Sequence, residues 1–266
     1  MLFRQKKILS QIFLKDKNIL KKEAELINPT NKTVLEIGAG LGNLSEQLLM
    51  LNPKELILVE IDKQLVDILK NKFGNHKNVE VINEDILDLN NKELLEKKYD
   101  IICGNVPYHI SSDIIFKLLD FKFKIAYLLM QKEFVERIVD EFKYGIYSRL
   151  NIMANYYFEC KKSMIIPRTC FAPIPKIDSQ VLILEKRNVK MDEYFENFIR
   201  ILFTHKKKTL KNSIIDSYKE LNFKDKEEAR TFADNLEFSE ERVFSMNIAK
   251  LLITFKEFKK RKINTA

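Results

Sequence analysis

The sequence predicts an α/β fold: a doubly wound, mostly parallel sheet with helices on both faces, followed by a small all-helical C-terminal domain. Three observations carry this. Short apolar or β-branched runs alternate with segments of helical apolar spacing, roughly every 20 to 25 residues. Three of the six glycines fall together, at Gly38, Gly40 and Gly42, directly after the first run. Beyond Arg187 helix-period segments continue, but strand-like runs stop.

The runs justify the elements in order. Thr33 to Ile37 reads as a buried strand ending at glycines, and Leu44 to Leu51 as the helix that follows. Glu55 to Glu60 is a second strand. Leu65, Ile68, Leu69 and Phe73 mark a helix stopped at Gly74. Val79 to Ile82, Tyr99 to Cys103 and Lys124 to Met130 are further strands, with a helix near Glu133 to Phe142. Asn155 to Ile165 and Val181 to Leu184 read as two closing strands. Tyr194, Phe198, Ile201 and Leu202 then form one helical apolar face, and Leu251, Leu252, Phe255 and Phe258 another.

Composition narrows the class. The 266 residues are 45% hydrophobic and 32% charged, which excludes fibrous and low-complexity chains. The longest stretch without Asp, Glu, Lys or Arg, Ile101 to Ser112, is too short to cross a bilayer, which takes about 20 apolar residues. No apolar leader follows Met1, and three widely spaced cysteines read as reduced thiols, so a cytoplasmic protein is expected. No His, Cys or acidic cluster has metal-ligand spacing. Residues 1–22 carry seven Lys or Arg against one Asp, and residues 188–266 carry 17 against 13 acids. Residues 23–187 are close to neutral. Two basic ends around a neutral middle suit a polyanionic partner. The expected domains are therefore a basic arm, 1–22, a catalytic domain, 23–187, and a helical domain, 188–266.

The glycine run, Gly38-Ala39-Gly40-Leu41-Gly42, lets the backbone turn between strand and helix and approach a ligand closely. Asn43 stands where the dinucleotide fingerprint needs its last glycine. Glu60 ends the second strand, where a carboxylate can accept from both hydroxyls of a ribose. Asp85 follows the third strand at the same edge and can accept from an adenine amine. Together they suit an adenosine-containing cofactor.

After the fourth strand comes Asn105-Val106-Pro107-Tyr108, which is far more specific. An exocyclic adenine amine is a poor nucleophile because its lone pair is delocalised into the ring. Acceptors on its two N–H bonds draw the nitrogen towards tetrahedral geometry. The Asn105 side-chain oxygen and the Val106 carbonyl can be those acceptors. Pro107 stiffens the turn that aims them. The Tyr108 ring can stack on the base, worth about 1–3 kcal/mol.

With these residues in view, the chain resembles the ribosomal RNA adenine dimethyltransferases that modify small-subunit (16S-type) rRNA. The likeness runs through Lys7 to Asp16, Glu36 to Gly42, Gly104 to Ser111, Gln131 to Arg137, Tyr147 to Leu150, Phe171 to Ser179 and Thr204 to Asn212. It implies a Rossmann-like methyltransferase domain, S-adenosylmethionine as cofactor, and two methyl groups on each of two adjacent adenines in a hairpin loop near the RNA 3′ end. It also implies that Ile12, Leu14, Gly38, Gly40, Glu60, Asp85 and Asn105 line the cofactor site. Tyr108 would stack on the target base. Phe171 is either a second stacking surface or a core ring in a proline-rich loop. Lys207, Lys208 and Lys211, in a segment similar to a basic helix of the family, would grip phosphates. The implied partners are small-subunit rRNA and the immature small ribosomal subunit, met by a monomer.

Ser10, Ile12, Val106 and Ser148 depart from the family's usual residues without touching the amine-activating atoms. Two other readings stay open: a related large-subunit rRNA methyltransferase of the resistance type, and a non-catalytic assembly or RNA-binding protein on the same fold. The intact Glu60, Asp85 and Asn105–Tyr108 set disfavours the second.

Overall fold

The computed structural model describes residues 12–140, 146–190 and 192–264, with residues 262–264 by backbone alone. Residues 1–11 of the expected arm, Lys7 and Ser10 among them, lie outside the described residues. In chain order the strands are β1 (Phe13–Leu14), β2 (Thr33–Ile37), β3 (Glu55–Glu60), β4 (Val79–Asn83), β5 (Lys98–Asn105), β6 (Lys122–Gln131), β7 (Phe158–Ile166), β8 (Phe171–Ala172) and β9 (Ser179–Lys186). The helices of the sheet-bearing part are α1 (Lys17–Ile27), α2 (Asn43–Met50), α3 (Lys63–Phe73), α4 (Lys92–Glu96), α5 (Ser111–Lys117) and α6 (Lys132–Val139). Those of the helical part are α7 (Arg149–Tyr157), α8 (Glu193–Thr204), α9 (Leu210–Asp216), α10 (Lys226–Asp234) and α11 (Ile248–Asn264).

Among the described residues seven strands form one sheet in the order β4-β3-β2-β5-β6-β9-β7. β4 to β6 run parallel through β3, β2 and β5, and β9 is antiparallel to both of its neighbours. All five residues of β2 are buried, as a strand covered on both faces requires. The chain builds outward from β2 through β3 to β4, then returns to place β5 on β2's other side. The carboxyl ends of β2 and β5 therefore part around a crevice. β1 and β8 make a separate antiparallel ladder, pairing Phe13 with Ala172 and Leu14 with Phe171.

The second half of the expected arm is ordered structure. Asp16 caps α1, accepting from the N–H groups of Asn18 and Ile19 at 2.9 and 3.1 Å. Leu20, Ala24 and Ile27 then bury one face against the sheet-bearing core, and Glu23 is buried on that same face.

The described residues form two compact units. One comprises the chain up to Val139 with Phe158–Lys186, and the other comprises Asp140–Tyr157 with the chain from Arg187. The second thus includes α7, a segment that the sequence places inside residues 23–187. Residues 155–157, expected to open a strand, end α7 instead. Their β-forming tyrosines are overridden by packing: the Tyr156 ring lies 4.6 Å from Phe195, and the Tyr157 hydroxyl donates to Glu196 at 2.6 Å. Tyr194, expected on the apolar face of α8, is 69% exposed. Asp192 caps α8 and sets its phase, so Phe195, Phe198, Ile199 and Leu202 form the buried stripe. Phe198 packs against Phe255 and Phe258 of α11 with centroids 5.4 and 5.0 Å apart.

Candidate active site

β2 ends at Ile37 and the chain turns through Gly38, whose φ is +68°. A Cβ built on Gly38 would meet no protein atom within 4 Å, so this turn opens onto space rather than onto packing. Gly42 serves a different purpose. It starts α2 at φ +73°, and a Cβ there would come within 2.6 Å of the Phe73 ring. Between them the Gly40 N–H donates to Glu60 Oε2 at 2.9 Å, and the Asp62 N–H donates to Oε1 at 2.9 Å. Burial pushes the Glu60 carboxyl up from its usual range, and these two backbone donors pull it back. Each oxygen, with one N–H attached, keeps a second lone pair for a ligand. Asp85, in the turn after β4, accepts from the Leu87 N–H at 2.9 Å.

β5 delivers Asn105 at its last residue, beside the glycine turn. Val106 is anchored by its N–H to the Leu129 carbonyl at 3.1 Å. Pro107 leads into a single 3₁₀ turn, Tyr108–Ile110. The Tyr108 hydroxyl lies 2.9 Å from Ser179 Oγ, and burial raises its pKa. Asn105 Oδ1 is buried and, among the described residues, has no hydrogen-bond partner. A buried acceptor left unmet is costly unless something else arrives to satisfy it.

These features share one cavity of about 480 Å³, a volume ordinary for a cofactor site. Ile12, Leu14, Gly38, Gly40, Glu60, Asp85, Asn105, Val106, Pro107, Tyr108 and Phe171 all line it. Phe171 does so from the hydrophobic core, at 4% exposure, so its ring is largely packed away.

The three lysines belong to the helical unit. Residues 205–208 form a turn rather than the expected helix, because Thr209 caps α9 and starts a new one. Lys207 and Lys208 are both exposed, and Lys208 pairs with Asp216 while Lys211 pairs with Asp234.

Over residues 2–248 the chain matches the family described as ribosomal RNA adenine dimethylase. It belongs to that family. Among curated relatives, it is 36% identical over 233 residues to the ribosomal RNA small subunit methyltransferase A of Pelagibacter ubique, spanning 83% of this chain and 88% of the relative. Among solved structures, a dimethyladenosine transferase from Plasmodium falciparum superposes with a TM-score of 0.78 at 29% identity, covering 94% of this chain and 98% of the other. The 23S rRNA methyltransferase ErmE superposes less well, with a TM-score of 0.67 at 25% identity over 93% and 99%.

In this adenine dimethylase, sequence reasoning misses several residues that shape the cavity. Ser179 meets Tyr108 from 71 positions away. The Asn43 side chain donates to the Leu14 carbonyl at 2.8 Å and ties the arm to the glycine turn. Phe13 lies over Gly40. Glu23 and Glu36 are buried carboxyls whose pKa values burial raises to about 8. Ser179 and Glu36 carried a signal, as the end residues of the Phe171–Ser179 and Glu36–Gly42 segments, and Asn43 as the residue that breaks the dinucleotide fingerprint.

Proposed function

We propose that this chain transfers methyl groups from S-adenosylmethionine to the N6 amines of two adjacent adenines in the 3′-terminal hairpin loop of small-subunit rRNA, during ribosome assembly in the cytoplasm. The observation that carries the reading is the unmet Asn105 Oδ1 in the wall of a cavity that also holds the glycine turn, Glu60 and Tyr108.

The residues present fit the cofactor. The open space at Gly38 accepts a ligand where any side chain would intrude, and Glu60 keeps acceptor capacity for a ribose. S-adenosylmethionine supplies an electrophilic methyl carbon on a positively charged sulfur. Glu60 and Asp85 would hold the adenosine, and Ile12 and Leu14 would cover it from the arm. Asn105 Oδ1 and the Val106 carbonyl would accept from the target N–H bonds and localise the nitrogen lone pair. The target nitrogen would release one proton to water on accepting the methyl group. Tyr108, held through Ser179, would stack on the base after it is turned out of its helix. The main effect is positioning, so no strong base is required.

The relatives favour small-subunit rRNA over the large-subunit alternative. The phosphate grip rests on Lys207 first, because Lys208 and Lys211 already have acidic partners. The protein would meet the immature subunit as a monomer. Purified small and large subunits, offered separately with methyl-labelled cofactor, test the reading. Mass spectrometry is expected to find dimethyladenosine in small-subunit rRNA only. Label in large-subunit rRNA alone would reverse the assignment.

A further inference from the structure

The proposed chemistry leaves Asn43 without a role. It stands where the dinucleotide fingerprint has its last glycine, at the first residue of α2. A glycine there would offer no side chain. The Asn43 side chain instead reaches the arm, where Nδ2 donates to the Leu14 carbonyl at 2.8 Å.

The arm strand needs such a second anchor. β1 is two residues long and, among the described residues, pairs with β8 alone. In an antiparallel ladder alternate residues direct their backbone groups towards the partner strand. The Lys15 N–H bonds the Cys170 carbonyl at 3.0 Å. By that alternation the Leu14 backbone groups point away from β8, to an edge where no third strand follows. The Asn43 amide meets the Leu14 carbonyl at that edge and takes the place of a strand. Phe13 adds packing, for its ring lies so near Gly40 that a Cβ built there would come within 3.0 Å of it.

Both tethered segments line the cavity. Ile12, Phe13 and Leu14 do so from the arm, and Gly38 and Gly40 from the glycine turn. The placing of one against the other therefore sets the space left for a ligand. We infer that Asn43 is a positioning residue for the cofactor: by holding the Leu14 carbonyl it fixes the arm strand against the glycine turn, and so raises affinity for S-adenosylmethionine without acting in methyl transfer. This rests on the reading of the cavity as a S-adenosylmethionine site. An arm in place only part of the time weakens binding in proportion to that fraction. One hydrogen bond of this kind shifts the equilibrium by about 5-fold.

The test uses the full chain with Asn43→Ala and Asn43→Leu. Both replacements lack a donor and are strong helix formers, so α2 is not weakened by either. Calorimetric titration with S-adenosylmethionine is expected to show Kd raised about 5-fold in each. Steady-state kinetics on small subunits are expected to show KM for the cofactor raised alike, with kcat unchanged at saturation. Hydrogen exchange is expected to quicken at the Lys15 amide and to stay at the parental rate in α3. Parental affinity in both variants overturns the inference. So does weakened binding with parental exchange at Lys15, which would mean that Asn43, itself in the cavity lining, touches the cofactor directly. A fall in kcat with faster exchange in α3 as well would mark the residue as merely structural, and overturns it too. A parent chain that does not bind S-adenosylmethionine would instead defeat the underlying reading, so the two failures are distinguishable.

Discussion

The two units handle polar groups in opposite ways. In the helical unit the core is a cluster of phenylalanines, and charges sit outside it in partly exposed pairs such as Lys208–Asp216, Lys250–Glu241 and Lys259–Asp192. Such pairs are worth about 0–1 kcal/mol each. Three of its helices, α8, α9 and α10, begin at Asp192, Thr209 and Asp225, each capping the backbone in the ordinary way. In the sheet-bearing unit the polar groups go inside. Glu36, Glu60 and Asn105 line one cavity and Glu23 is buried in the same unit, and three of these four side chains have an oxygen with no partner among the described residues. A chain selected only for stability would not place acids there. The contrast marks the sheet-bearing unit as the place where stability is given up for chemistry.

The comparison is broken first by mutations that separate stability from activity. Asn105→Ala is expected to lower kcat on the order of 100-fold while leaving the melting temperature within a few degrees. Phe195→Ala, in the aromatic core of the helical unit, is expected to do the reverse. It should cost about 3–5 kcal/mol in denaturant melts, while any molecules still folded keep the cavity intact. If Phe195→Ala abolished methyl transfer by folded protein, the division of labour between units would fail.

A smaller effect concerns pH. The Glu36 carboxyl, ordinarily near 4.5, is raised to about 8 by burial in the folded chain. Below pH 4.5 both folded and unfolded chains hold this proton, so its contribution to stability is whole there. Between 4.5 and about 8 the unfolded chain releases a proton that the folded chain keeps, and stability falls as pH rises. Glu36→Gln removes this loss. The variant's melting temperature should match the parent's near pH 4.5 and exceed it by several °C at pH 8. A gap that shrinks with rising pH would contradict the buried-acid account.

The smallest effect is expected in the helical unit's basic turn. Lys207→Ala should weaken RNA binding slightly and flatten the slope of log affinity against log salt by about one. Lys208→Ala and Lys211→Ala should change the slope less, because each lysine already has an acidic partner. Equal slopes for all three would show that those pairs open on binding.

Much of the sheet-bearing unit could be read from the sequence because its signals are local. The glycine turn, Glu60 at a strand end and Asn105 to Tyr108 each lie within a few residues, and β2, β3 and β5 each carry a short apolar run. What escaped depends on contacts between distant positions. Leu14 pairs with Phe171, Tyr108 with Ser179, and the Asn43 side chain with the Leu14 carbonyl. None leaves a trace in spacing, and a lone Glu in an amphipathic helix reads as solvated surface. α7 escaped because Tyr156-Tyr157-Phe158 has strand propensity, and only packing on Phe195 ends the helix as late as Tyr157.

The account stands most directly on single-turnover methyl transfer by Asn105→Ala and Asn105→Asp enzymes, saturated with labelled cofactor and small subunits. At saturating cofactor both variants should transfer methyl groups far more slowly than the parent. The Asp variant should retain more activity than Ala, since it keeps an acceptor oxygen at the same place. Transfer by Asn105→Ala at the parental rate would contradict the claim that this amide prepares the amine for attack.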